Sequence, residues 1–224
     1  MNKVSENPFK NRKDNMNSAL MVVTALFVTL YLVSNIMAVK VIGLFNLFYF
    51  DAGTITFPFA YMLGDVLTEI WGYRTARKVI WLTLLCNILL VICTQVGVWM
   101  PSSPDSITMS DAYKTLFDYV PRIVLASLAG FLFGELLNAR LMEKIKLRTN
   151  GRRLWVRTIG SSAVAHIVDS AVFVLIAFAG TVSKDELILM MLFQYFSKLS
   201  IEVLFGTPMA YAAVHSIKQY IRRG

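Results

Sequence analysis

Charge is scarce in this chain. Only 16% of its 224 residues are Asp, Glu, Lys or Arg, against about 25% in ordinary soluble domains. With 56% hydrophobic residues, a soluble single domain is excluded, and so is disorder, because so much Leu, Val, Ile and Phe must be buried somewhere. Histidine and cysteine number two each, scattered over different apolar runs without metal-ligand spacing, so no zinc site and no cofactor is expected. Cys86 and Cys93 lie on one helical face, ~10 Å apart along the axis; that separation rules out a disulfide and leaves them as small apolar packers. No GxxxxGK[ST] occurs, which excludes a nucleotide-driven motor in this chain. Gly160, Ser161 and Ser162 precede His166 on one helix, but without G-x-S-x-G they do not make a nucleophile held against a base.

What the chain has instead is a series of apolar runs long enough to cross a bilayer as helices. Six are found, at roughly 19–38, 55–72, 79–100, 120–138, 158–179 and 187–214. The expected fold is an all-α integral membrane protein: a bundle of six transmembrane helices over 19–216, a basic tail at 1–18 and a short tail at 217–224. The first run has no small-residue cleavage site behind it and reads as an uncleaved span. The second is the shortest and most polar; the last is long enough to tilt or to bend at Pro208, which lacks a backbone N–H. Val41 to Phe50 is too short to span and suits an interfacial or re-entrant piece. In the polar loop Pro101 to Tyr119, Ser110 is a candidate cap for a short surface helix from Asp111 onward.

The 22 Lys and Arg give the orientation. Seventeen fall on one side: four in the first tail, three at Arg74, Arg77 and Lys78, seven from Arg140 to Arg157, and Lys218, Arg222 and Arg223. The opposite side has Lys40, Lys114 and Lys184, and Arg122 and Lys198 fall within spans. Both termini are thus expected in the cytoplasm, with the basic loops facing anionic lipid, which accounts for the net charge of +8 without nucleic acid. Two halves of three spans would be inverted relative to each other. Ala126, Gly130 and Gly134 share one face and permit close helix contact within the chain or in a homodimer.

A charge at the centre of a membrane helix costs about 2.5 to 3.5 kcal/mol, so each must face protein or water. Here they come in groups: Asp65 with Glu69, Glu135 with Asn138, His166 with Asp169, and Gln194, Lys198 and Glu202 on successive turns. Asn35 and Arg122 complete a set expected to converge on a polar interior. Bland readings stand beside these. Lys198 and Glu202 can pair with each other, Arg122 can snorkel to the interface, and Glu69, Glu135 and Asn138 lie towards the inner boundary. His166 and Asp169 can form a proton-linked pair or a structural hydrogen bond. Asp65 and Asp169, flanked by apolar residues, are the hardest to dismiss.

The Ser34-Asn35 pair, the run Phe57-Pro58-Phe59 with Asp65, Gly72 with Ala76-Arg77-Lys78, Asp169-Ser170, and Lys198 with Pro208-Met209 together resemble the queuosine precursor transporter family, formerly called vitamin uptake transporters. The resemblance runs from about residue 18 to 216, departing in the fifth span, where the family often has Asn before the Asp and this chain has His166. It implies an inner-membrane importer of 7-cyano- or 7-aminomethyl-7-deazaguanine, with no covalent chemistry and a small-molecule deazapurine as partner. A guanine-like edge offers two adjacent N–H donors to a carboxylate such as Asp65 or Asp169, and a carbonyl to Lys198, Gln194 or Asn35. Phe57, Tyr61 or Tyr195 can stack on the ring, and Glu202 would favour the cationic aminomethyl form. The substrate-binding candidates are thus Asn35, Phe57, Asp65, Glu69, Arg122, Glu135, His166, Asp169, Gln194, Lys198 and Glu202. Two other readings stay open: the substrate-binding component of an energy-coupling-factor system, and an intramembrane enzyme using His166 and Asp169.

Overall fold

The computed structural model describes residues 8–44, 48–118, 121–180 and 183–222. Helix α1 (Pro8–Met37) leads into an antiparallel hairpin of β1 (Val41–Leu44) and β2 (Phe48–Asp51), with Val41 opposite Asp51. The piece expected at Val41 to Phe50 is therefore a hairpin that does not span. A 3-10 turn (Ala52–Ile55) delivers the chain to α2 (Phe57–Trp71), after which come α3 (Tyr73–Trp99), α4 (Ile107–Asp118), α5 (Pro121–Arg148) and α6 (Leu154–Phe178). Helix α7 (Lys184–Ile201) passes through a π-helical turn (Glu202–Gly206) into α8 (Thr207–Arg222).

Among the described residues, five stretches are long and apolar enough to cross a membrane: Asn11–Met37, Tyr73–Trp99, Leu125–Arg148, Leu154–Phe178 and the α7–α8 rod Lys184–Arg222. Their outer faces carry exposed Met21, Leu26, Leu85, Leu89, Ile92, Ile188 and Phe196, where a soluble protein would carry charge. The second expected span is different. Helix α2 has 15 residues and is about 22 Å long, shorter than the ~30 Å hydrocarbon core. It is enclosed by protein, with every residue from Ala60 to Glu69 buried and with α1, α3, α5, α8 and the π turn packed around it.

Two prolines shape this centre. Pro58 falls at the start of α2, where a helix has no use for the missing N–H, so it begins the helix rather than freeing a carbonyl inside it. Pro208 follows the π turn: the Thr207 N–H bonds Glu202 O, five residues back, and the bend expected at Pro208 takes the form of this widened turn, which accommodates a ring with no N–H to offer. Gly206 in that turn lies against the Pro58 carbonyl. Thr56, just before α2, receives the Ser34 hydroxyl at 2.7 Å, tying α1 to the same point.

Two expected boundaries move. Helix α5 runs to Arg148 instead of stopping near 138, because Lys, Arg, Leu and Met are good helix formers and basic side chains suit a helix C-terminus. The basic connection shrinks to 149–153. Ser110 lies inside α4, which starts at Ile107 after a 3-10 turn, so it is not a cap. The small-residue face of α5 makes close contact with α6: a Cβ at Gly130 would stand 2.8 Å from Asp169 Oδ1, and one at Gly134 would meet the Tyr61 hydroxyl and stand 2.9 Å from Asp169 Cβ.

Candidate functional site

The polar interior is arranged in three layers along the bundle axis. The first lies towards the C-terminal end of α1. There a pocket with about 320 Å³ of space free of protein atoms, part of it open, is lined by Tyr31 and Ala38 of α1, Phe57 and Tyr61 of α2, Ser127 and Phe131 of α5, Asp169 and Phe173 of α6, and Gln194 and Lys198 of α7. Lys198 Nζ donates to Asp169 Oδ2 at 2.5 Å, with both side chains nearly fully buried. Burial of such a pair is tolerable only while each partner satisfies the other. The ammonium also lies 5.3 Å from the centre of the Phe57 ring, a cation–π distance. Tyr31 continues the aromatic wall, edge-on to Phe57 at 5.5 Å and tilted against Phe131 at 3.7 Å between ring centres, with its hydroxyl donating to the Ser127 carbonyl.

The second layer lies deeper and is closed. His166 Nε2 and Glu202 Oε2 share a hydrogen bond of 2.6 Å, and the Tyr61 ring lies 4.5 Å from the imidazole. Beside them Asn138 Nδ2 donates to Asp65 Oδ1 at 2.8 Å and to Glu135 Oε2 at 3.3 Å, and Asn138 Oδ1 accepts from Ser162. The Glu135 carboxyl fits over Gly64, where any Cβ would displace it. The third layer is basic: Glu69 receives Arg157 Nη2 at 2.9 Å and has Lys146 Nζ and Lys218 Nζ each at 3.4 Å.

The expected site residues are thereby sorted. Phe57, Asp169, Gln194 and Lys198 meet at the pocket, while Asp65, Glu135, His166 and Glu202 lie in the layer beneath it rather than in its wall. Glu69 stands apart in the basic layer. Asn35 pairs with Asn87 at 2.5 Å and borders a second cleft, shared with Thr94, Gln95, Leu116 and Phe117. The side chain of Arg122 lies outside the described residues. Of the stacking candidates, Phe57 and Tyr61 line the pocket and Tyr195 does not; it packs on Phe196.

Pairing within a helix is corrected: Lys198 holds Asp169 rather than Glu202, and His166 holds Glu202 rather than Asp169. Glu135 and Asn138 are in the sealed interior, not at a boundary, because α5 continues ten residues beyond Asn138. Tyr31, Ser127, Phe131 and Phe173 are additions to the pocket, and Arg157, counted above as a loop cation, is fully buried on Glu69. The spacing contained that signal: Arg157 begins the stripe Ser161, Ala165, Asp169, Phe173 that α6 buries.

These features of charge and geometry belong with a set of known sequences. A family model described as "Putative vitamin uptake transporter" matches residues 51–213. A protein of Bacillus subtilis (strain 168) named "Probable queuosine precursor transporter" is 31% identical over 181 residues, 80% of this chain and 78% of its own length. The "Queuosine precursor transporter" of Escherichia coli (strain K12) is 25% identical over 165 residues, 72% of each chain. No solved structure matches the chain significantly. The chain belongs to this family of transporters, which is not a family of enzymes.

Proposed function

We propose that the chain imports 7-deazaguanine bases, the 7-cyano and 7-aminomethyl precursors of queuosine, across the inner membrane, and that they bind at the Asp169–Lys198 pocket. The names of its relatives support the substrate class. The observation that carries the site is a buried ion pair, set among Tyr31, Phe57 and Phe131, whose two members offer what a guanine-like edge requires. A carboxylate accepts two parallel N–H donors and an ammonium donates to a carbonyl. The entering base takes over each half of the pair, so neither charge is left unsatisfied when the two separate. Gln194 Oε1, buried and without a hydrogen bond among the described residues, supplies a further acceptor. Flat aromatic walls and a few oriented polar groups suit a bicyclic base.

In this reading the short α2 is the sixth helix of the bundle, both termini face the cytoplasm, and the pocket lies in the outer half with the Glu69 layer closing the inner end. Thermal stabilisation of the detergent-purified protein tests it. The 7-cyano and 7-aminomethyl bases should raise the melting temperature, guanine should raise it less, and Lys198→Ala should abolish the shift. No shift with any deazapurine would remove the substrate assignment. Uptake into liposomes containing only this chain separates a self-sufficient carrier from a component that needs an energising partner.

A further inference from the structure

The pocket and the layer beneath it together hold more carboxyls than the cations facing them can match. Asp65 of α2, Glu135 of α5, Asp169 of α6 and Glu202 of the π turn are all more than nine-tenths buried. Opposite them stand Lys198 of α7 and His166 of α6, already occupied by Asp169 and Glu202. Helices α1 and α2 add the phenols of Tyr31 and Tyr61, and α3 makes no ion pair or hydrogen bond to the layer among the described residues. Below it, Glu69 and the cations Lys146 of α5, Arg157 of α6 and Lys218 of α8 satisfy one another.

Asp65 and Glu135 are left with one donor between them, the amide of Asn138. Their other oxygens, Asp65 Oδ2 and Glu135 Oε1, make no hydrogen bond among the described residues. Neither does the hydroxyl of Tyr61, which stands one turn before Asp65 on the same face of α2 and against Gly134, the neighbour of Glu135. An amide is a dipole, not a counter-charge. A buried carboxyl without a counter-charge takes a proton rather than remain ionised.

We propose that Asp65 and Glu135, bridged by Asn138, form the proton-carrying site of this transporter, so that a proton moves inward with the transported base. The proposal rests on the transport reading above. The connection to the pocket is direct: Tyr61 forms part of the pocket wall and contacts His166, and Asp169 lies in the same wall and against Gly130 and Gly134 of the helix that carries Glu135. Asp65 and Glu135 are 1% and 0% exposed, so the proton is exchanged only when the helices part and water enters. Tying proton exchange to the movement that exposes the pocket is what coupled transport requires.

The purified full chain in liposomes tests this, with the uncharged 7-cyano base as probe, an acidic exterior, and the membrane potential clamped by potassium and valinomycin. One co-transported proton gives about tenfold accumulation per pH unit, and a protonophore should collapse it. Glu135→Gln and Asp65→Asn should lose this accumulation yet still exchange labelled for unlabelled base without a gradient. Exchange by the wild type without pH-driven accumulation, or accumulation driven by sodium instead, would overturn the proposal and leave the transport reading standing. Wild-type accumulation in both variants would overturn the site. Loss of exchange in both would make the two carboxyls structural and would overturn it as well. No exchange in the wild type would count against the transport reading itself.

Discussion

Gly134, beside the pocket, has restricted surroundings. Its missing side chain leaves room for the Tyr61 hydroxyl and for Asp169 Cβ at once, and so fixes both the floor of the pocket and the distance between α5 and α6. Gly134→Ala should therefore destabilise the protein by about 1 to 3 kcal/mol through overpacking and weaken ligand-induced stabilisation; melting curves with and without the 7-cyano base measure both. At this scale the sequence identified the right atoms more readily than their partners. Asp169, Lys198, His166 and Glu202 were legible because charge inside an apolar run is costly, but periodicity shows only which residues share a face. It paired neighbours along each helix, whereas the structure pairs α6 with α7 and with the π turn. Tyr31 and Phe131 gave no signal, since an aromatic at helical spacing reads as core until its neighbours are known.

The most consequential element is the π turn. By opening the helix around Glu202 it brings the carboxylate to His166, and it places Gly206 beside the start of α2. Such turns cost stability and persist at functional positions. With Pro208→Ala the N–H that a regular helix needs is restored, so the turn should relax to α-helix, Glu202 should leave His166, and uptake should fall while the melting temperature holds or rises. Uptake assays and melting of the same preparation decide it; a fall in both would indicate that Pro208 only stabilises the fold. Helix existence was legible here and helix ends were not. The apolar run of α5 stopped near 138, but the good helix formers after it carried the helix to Arg148. Pro208 marked the place of an irregular turn without saying what form it would take.

For the whole molecule, the asymmetry of basic residues is the strongest global signal the sequence carries. It predicts that a fluorescent protein fused after Arg223 lights up in the cytoplasm, and that an alkaline phosphatase fused there stays inactive; the opposite pattern would reverse the orientation assigned to the pocket and to the Glu69 layer. Hydropathy also revealed the second apolar run, though not that the helix formed from it is too short for the bilayer and enclosed by its neighbours. This matters for how the chain is made. As the ribosome delivers it, α2 emerges with Asp65 and Glu69 long before the partners of either carboxyl: Asn138 and Arg157 follow by 73 and 88 residues. A segment this short and charged is a poor substrate for one-at-a-time insertion by the translocon. The centre of the transporter is thus synthesised before most of the helices that surround it, and its lodging in the membrane must await them.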